Sequence, residues 1–143
     1  MSVHQISIFL ENRAGQLAQV TRVLADNAID MRALSIAETS DYGVLRLIVD
    51  DAERATHILL DNGFILSMTP VSVVAVPDQV GGLAPVLQAL ADGQMDVEYM
   101  YSLFTHKEGT AYMVFRIADE ARFVELLKPY GIILADKSDL DIK

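Results

Sequence analysis

The chain has 143 residues, of which 52% are hydrophobic and 22% are charged, a balance typical of a globular protein. Its formal net charge of −9 is shared between the halves, because residues 1–69 carry 5 basic and 9 acidic side chains and residues 70–143 carry 6 and 11. Nucleic acids and anionic membranes are bound mainly through Lys and Arg. Neither is therefore an expected partner.

The composition also excludes cysteine chemistry, because no cysteine is present for a disulfide, a thiolate metal ligand or a thiol nucleophile. The N-terminus lacks the basic segment and long apolar run of a secretory signal. No stretch of the sequence approaches the length of a membrane span. These features predict a cytoplasmic protein.

The first predicted element in chain order is a strand over Gln5–Leu10, where every second residue from Ile6 onward is apolar and lies on one side, before a polar turn. Leu17, Val20 and Leu24 then recur at helical spacing. This period predicts a helix from about Gly15 to Asn27.

Two β-rich runs follow, Met31–Glu38 and Val44–Val49, and the polar, Gly-containing segment between them predicts a hairpin. Asp50 or Asp51 can then cap a second helix. A last strand is predicted over Phe64–Met68. The order of elements up to this point is βαββαβ.

The sequence then repeats itself with a period of 66 residues. Over residues 15–31, 8 of the 17 pairs formed with the segment 66 positions later are identical. Gly43 and Gly109, and likewise Ala55 and Ala121, fall in the same register. A self-similar period of this kind predicts two copies of one structural unit.

The order βαββαβ is that of the ferredoxin-like split βαβ, an antiparallel sheet whose two right-handed crossovers place both helices on one face. The predicted fold class is therefore α+β, with two ferredoxin-like units in residues 1–69 and 70–143. Units of this size have marginal cores when alone, so we expect them to pack as a tandem pair with aligned sheets.

The sheet face opposite the helices is predicted to need a cover. The third strand of the first copy is apolar on both sides, with Leu45 and Leu47 on one side and Val44 and Ile48 on the other. Val114 occupies the corresponding second side in the other copy. Soluble proteins avoid large exposed apolar patches. We therefore expect two chains to stack these faces as a homodimer.

A glycine marks the strand-to-helix junction of each copy, as Gly15 and Gly81. The N–H groups and dipole of a helix N-terminus favour a carboxylate, and an acid before the second strand, Asp30 or Asp96, can receive an ammonium group. Together these features predict a site for a zwitterion. The alternatives are a glycine that only fits a tight turn and a solvated turn aspartate.

The motif Glu-Asn-Arg-Ala-Gly-Gln-Leu at 11–17, with Leu-Ala-Asp-Asn-Ala-Ile-Asp-Met at 24–31, resembles the ACT domain signature. ACT domains are small βαββαβ modules that bind amino acids and regulate metabolic enzymes. The resemblance covers nearly the whole chain, twice. Since no catalytic domain accompanies the two modules, the chain resembles a free-standing tandem ACT protein.

The resemblance implies that effectors lie between modules. They are held by the loop after the first strand and by residues around the start of the second strand of an adjoining module. Ala14 and Val80 stand where the family often has Pro, and Asp78 replaces an Asn, so the first site ranks above the second. The implied ligand-binding residues are Asn12, Ala14, Gly15, Leu17, Ile29 and Asp30, and, more weakly, Asp78, Gly81, Gly82, Leu83, Met95 and Asp96.

The resemblance further implies a non-catalytic regulator that binds a free amino acid and signals to a separate metabolic enzyme or regulator. No cofactor or metal is implied. His4, His57 and His106 do not recur between the copies, and no nucleophile or phosphate-binding motif is present, so catalysis is not expected. The alternative is a structural module that dimerises and docks on a partner enzyme without a small-molecule ligand.

Overall fold

The computed structural model describes four stretches of the chain: residues 3–11, 13–38, 41–104 and 107–143. The chain divides into two compact units. The first unit comprises residues 4–69 together with 141–143, and the second comprises residues 70–140 together with Val3. Each is described separately below.

The first unit is built in the order βαββαβ. Its strands lie in the order β2-β3-β1-β4, with β1 and β2 both antiparallel to β3. The elements are β1 Val3–Glu11, α1 Gln16–Asp26, β2 Met31–Glu38, β3 Tyr42–Val49, α2 Ala52–Asp61 and the first residues of β4 Ile65–Pro77.

The second unit repeats this order, beginning with the remaining residues of β4. Its strands lie in the order β7-β4-β6-β5, and each neighbouring pair is antiparallel. The elements are α3 Ala84–Asp92, β5 Tyr99–Ser102, β6 Thr110–Arg116, α4 Glu120–Leu127, a 3-10 helix Lys128–Tyr130 and β7 Leu134–Ala135. The predicted α+β class and the tandem arrangement of ferredoxin-like units are confirmed.

A separate hydrophobic core fills the helix side of each sheet. In the first unit, Val20 and Leu24 of α1 pack in one cluster with Leu45 and Leu47 of β3. The equivalent cluster of the second unit includes the tilted ring pair Phe115 and Phe123, whose centroids are 5.4 Å apart. The helical period recognised in the sequence therefore identifies the buried side of α1.

The second helix of each unit begins with an aspartate cap. Asp51 Oδ1 accepts a hydrogen bond from the Arg54 N–H at 3.1 Å, and Asp119 Oδ1 accepts one from the Arg122 N–H at 3.0 Å. These are the side-chain-to-backbone bonds expected at a helix N-terminus. None of the described helices is long and apolar enough to cross a membrane.

The internal repeat changes register between the hairpin strands, which corrects the sequence alignment. In the first unit, Glu11 faces Tyr42. In the second unit, Pro77 faces Thr110. Pro77 lies 66 residues after Glu11, whereas Thr110 lies 68 residues after Tyr42. The second copy thus has two additional residues before its third strand. Gly43 and Gly109 are consequently not equivalent.

The same shift separates Ala55 from Ala121. Ala55 is fully buried in the first core, whereas Ala121 is exposed on α4. The residue that lies 68 positions after Ala55 is Phe123, which is fully buried in the second core. A shift of 68, rather than 66, therefore matches burial in the second helices.

The structure also corrects the prediction that the sheet face opposite the helices is uncovered. Ile48 and Val114 have no exposed surface in the isolated chain. On the same side of β1, Gln5 and Ser7 are buried as well, with Gln5 Nε2 donating to Ser7 Oγ at 3.0 Å. A second chain is therefore not required to cover these positions, and they cannot serve as the predicted dimer surface.

Two strands differ in length from the prediction. The run predicted as Phe64–Met68 begins at Ile65 and continues to Pro77 as β4. In the second copy, the repeat predicts a second strand over Val97–Phe104, but β5 covers only Tyr99–Ser102. Within the described part of the chain, β5 lies at the edge of its sheet and pairs with β6 alone, so its ends have few partners to keep them regular. Beyond β5, single hydrogen bonds continue the pairing, as from Leu103 N to Tyr112 O at 3.0 Å.

Candidate functional site

The loop between β1 and α1 ends in a glycine with left-handed backbone. Gly15 is the N-cap of α1 with φ +89°, a conformation that L side chains rarely adopt. The N–H groups of Leu17 and Ala18 lie in the first helical turn, where an α-helix offers them no backbone acceptor. Ala14 is exposed in this loop, and Asn12 lies outside the described residues.

A groove of about 180 Å³ lies beside this first turn, between α1 and the ends of β1, β2 and β3. We call it the α1 groove. Four apolar side chains line it, and two of them remain exposed, Leu17 at 37% and Ile36 at 47%. The apolar lining residues are Leu10, Leu17, Ile36 and Leu45, and Gly43 also contributes to the wall.

Opposite charges lie at the mouth of the α1 groove. Arg13 and Glu11 both line it, and Arg13 Nη1 lies 3.3 Å from Glu11 Oε2. Their side chains are 65% and 72% exposed, so this ion pair contributes little to stability. Gln16 completes the polar rim. The groove therefore combines an apolar floor with one cationic and one anionic group.

A second hollow of about 290 Å³ adjoins the groove and shares Glu11, Arg13 and Gln16 with it. Its remaining wall includes Phe9 of β1 and Gln19 of α1. Both sides of the Glu11–Arg13 pair are thus accessible to a small molecule.

The predicted residues at the start of β2 lie at the other end of α1. The helix has 11 residues and is about 16 Å long, so one small ligand cannot touch both Gly15 and Asp30 of the same unit. Ile29 is 6% exposed and belongs to the core. Asp30 is paired with Arg32, which also donates to the Asp141 carbonyl oxygen at 3.1 Å.

The corresponding loop of the second unit is folded more tightly on itself. Gly82 N–H donates to Gln79 O at 3.0 Å, and a Cβ at Gly82 would overlap the Pro77 carbonyl oxygen. Gly82 is therefore required by the turn. Gly81 has φ +80° and is exposed, like Gly15.

The first turn of α3 offers fewer donors than that of α1. Pro85 has no N–H, and the Val86 N–H already donates to Leu83 O at 3.1 Å. Asp78, which is exposed in the loop before α3, adds a negative charge. Of the two loops, the first is the better environment for a carboxylate.

The remaining predicted residues of the second unit divide between its core and its surface. Leu83 and Met95 are partly buried and pack against the core cluster. Asp96 is exposed beyond the C-terminal end of α3, a helix of 9 residues. Asp96 is thus separated from Gly81, just as Asp30 is separated from Gly15.

The sequence patterns do not single out the charged and apolar side chains that line the α1 groove at the first loop. Glu11 and Arg13 were seen only as part of a motif, and Ile36 only as part of a strand. No signal in a single sequence shows that β2 and β3 will bring Ile36 and Gly43 beside Glu11. The opposite charges two residues apart after a strand are the nearest available sign.

Residues suited to catalysis are not gathered at this site. Among the described stretches of the chain, no group of three His, Asp or Glu side chains could hold a metal ion. His4 lies on β1 and His57 on α2, and His106 is outside the described residues. The geometry is that of a small groove with an apolar floor and a charged rim.

A family model described as an ACT domain pair matches residues 1–140, and the chain belongs to this family. The family assignment supports a regulatory role. The sequence resemblance to tandem ACT modules is thereby confirmed. No curated protein sequence matches the chain.

Solved structures resemble the chain along most of its length. Protein BT0572 from Bacteroides thetaiotaomicron is 40% identical with a TM-score of 0.89, over 99% of this chain and 96% of that one. The ligand-free regulatory subunit of aspartate kinase from Thermus thermophilus is 15% identical with a TM-score of 0.65, over 90% and 93% of the two chains. The Thermus flavus regulatory subunit is 17% identical with a TM-score of 0.58, over 88% of each chain. The two Thermus proteins share the fold.

Proposed function

We propose that this protein is a non-catalytic regulator that binds a free amino acid and signals to a separate metabolic enzyme or regulator. The α1 groove is the observation that carries the proposal, because it places charged groups and an apolar floor beside the first turn of α1. Membership of the ACT domain pair family supports it. So does the fold shared with two proteins named as regulatory subunits of an enzyme.

The first loop is the principal proposed site. The backbone of Ala14, Gly15 and Leu17 would receive the ligand carboxylate, since unpaired N–H groups at a helix start favour anions. Asn12 remains a predicted contact. Asp30 can reach such a ligand only from another module. The loop of the second unit around Gly81 is proposed as a weaker site, and Asp96, like Asp30, can reach a ligand there only from another module.

The proposed assembly is a cytoplasmic homodimer. Phe9 and Tyr42 are 48% and 49% exposed on the side of the first sheet away from its helices, and Val44 lies between them on the same side. These residues form an apolar surface that a second copy can cover. They replace Ile48 as the proposed contact.

The test is a thermal-shift screen against the twenty amino acids at millimolar concentration. A ligand that binds only the folded state stabilises it by about 2.7 kcal/mol at 100 times its dissociation constant, which raises Tm by several degrees. Leu17→Asp should abolish the shift. Leu87→Asp is the matched control, because Leu87 is 38% exposed on α3 and lies outside the groove.

The two candidate functions give different results in this screen. A shift for one ligand class that is lost in Leu17→Asp and kept in Leu87→Asp is the expected outcome. No shift with any amino acid would contradict the sensor. It would favour the alternative, a module that dimerises and docks on a partner enzyme without a small-molecule ligand.

A further inference from the structure

We propose that the α1 groove selects an α-amino acid with an uncharged, branched aliphatic side chain, held at its two charged ends by Glu11 and Arg13. This inference rests on the proposed function and specifies its ligand. It assigns the ammonium-binding role to Glu11, which lines the groove, rather than to Asp30, which lies beyond the far end of α1.

The floor of the groove determines the class of side chain. Leu10 and Leu45 are 8% and 0% exposed and form its base, whereas Ile36 and Leu17 expose apolar surface toward the opening. An aliphatic ligand side chain would cover that surface. A charged one would lose its hydration without gaining a partner on the floor.

The mouth of the groove determines the class of headgroup. Arg13 and Glu11 are 3.3 Å apart and both largely exposed, so their mutual ion pair is weak and easily exchanged. A zwitterion between them replaces this pair with two charge-assisted hydrogen bonds, from Arg13 to the carboxylate and from the ammonium to Glu11. A ligand with a single charge would leave one of the two side chains without this gain.

The size of the groove limits the ligand to a small molecule. Its volume of about 180 Å³ is below the range of roughly 300–1,000 Å³ found for larger ligands. Gly43 adds no side chain to the wall of the groove, and a Cβ there would make only ordinary contacts, 3.8 Å from Ile36 Cγ2, so the position can accept a methyl group. At the equivalent position, 68 residues later, the second unit has Ala111.

Calorimetric titration with three probes tests the headgroup. The probes are L-leucine, 4-methylpentanoate, which lacks the ammonium, and 3-methylbutylamine, which lacks the carboxylate. Wild type should bind leucine at least tenfold more tightly than either analogue. Glu11→Gln should weaken leucine binding about tenfold and leave 4-methylpentanoate unchanged or tighter. Arg13→Gln should weaken binding of both carboxylates and spare the amine.

The control for charge loss is Glu98→Gln. Glu98 Oε2 lies 3.5 Å from Arg116 Nε in a partly exposed pair of the second unit, so this variant removes an ion pair away from the groove. Leucine affinity should be unchanged in it. An equal loss in Glu98→Gln and Glu11→Gln would overturn the role of Glu11.

Gly43→Ala tests the space in the groove without changing any charge. The added methyl group should weaken leucine binding more than alanine binding, because it occupies space needed by the longer side chain. If a charged or aromatic amino acid binds more tightly than leucine, or if Glu11→Gln, Arg13→Gln and Gly43→Ala all bind like wild type, the inference is wrong while the proposed function stands. If no amino acid binds at all, the proposed function itself fails.

Discussion

The glycines at the strand-to-helix junctions are required for different physical reasons, although they belong to the same sequence motif. Gly15 and Gly81 occupy left-handed backbone with φ of +89° and +80°, and a Cβ at either would meet nothing within 4 Å. Backbone conformation alone accounts for glycine at both positions. Their recurrence therefore identifies the turn, and the proposal of a ligand rests on the groove beside Gly15.

Gly82 is constrained by space instead. Because a Cβ there would overlap the Pro77 carbonyl oxygen, Gly82→Ala must displace backbone in the loop before α3. We expect it to lower the free energy of unfolding by about 1–3 kcal/mol, measured by urea denaturation. Gly43→Ala, whose Cβ meets only contacts of 3.8 Å, should leave stability nearly unchanged. Equal stability of Gly82→Ala and wild type would contradict this account of the loop.

Elements whose signals are local could be predicted from the sequence. The helix expected from about Gly15 to Asn27 is α1, Gln16–Asp26, because its apolar period and flanking turn lie within one segment. The lengths of β4 and β5 could not be predicted in this way. They depend on hydrogen bonds to strands distant in the sequence, and these set where pairing ends.

The same distinction applies to the candidate site. Gly15 and Leu17 belong to a recognisable local motif. Ile36 and Gly43 reach the groove only through strand register, which pairs Ile36 with Leu45 and Leu10 with Gly43. The separation of Asp30 from the loop, in contrast, follows from the predicted length of α1.

Helix capping gives a prediction at the scale of one element. Asp51→Ala removes the hydrogen bond to the Arg54 N–H at the start of α2 and should cost about 1 kcal/mol of unfolding free energy. Asp119→Ala should cost a similar amount at α4. Asp61→Ala is the control, since this aspartate ends α2, where a negative charge opposes the helix dipole. Urea denaturation of the three variants should show no loss of stability for Asp61→Ala.

Across the whole molecule, the sheet face away from the helices has two different environments in the first unit. Ala33 and Ile48 are fully buried within the chain, whereas Phe9 and Tyr42 remain about half exposed. The sequence shows apolar residues on both sides of β3. Its periodicity does not determine whether the side away from the helices is covered by the same chain or by a second one. Only the exposed end of this face is left for an assembly contact.

Two substitutions on this face separate folding from assembly. Ile48→Asp places an unpaired charge in a fully buried position, so we expect loss of the folded state in circular dichroism rather than dissociation of a dimer. Phe9→Lys changes a side chain that is 48% exposed and should leave the fold intact. In sedimentation velocity, wild type should migrate as a dimer and Phe9→Lys as a folded monomer. A dimer that persists in Phe9→Lys would place the interface elsewhere, and a monomeric wild type would refute the homodimer.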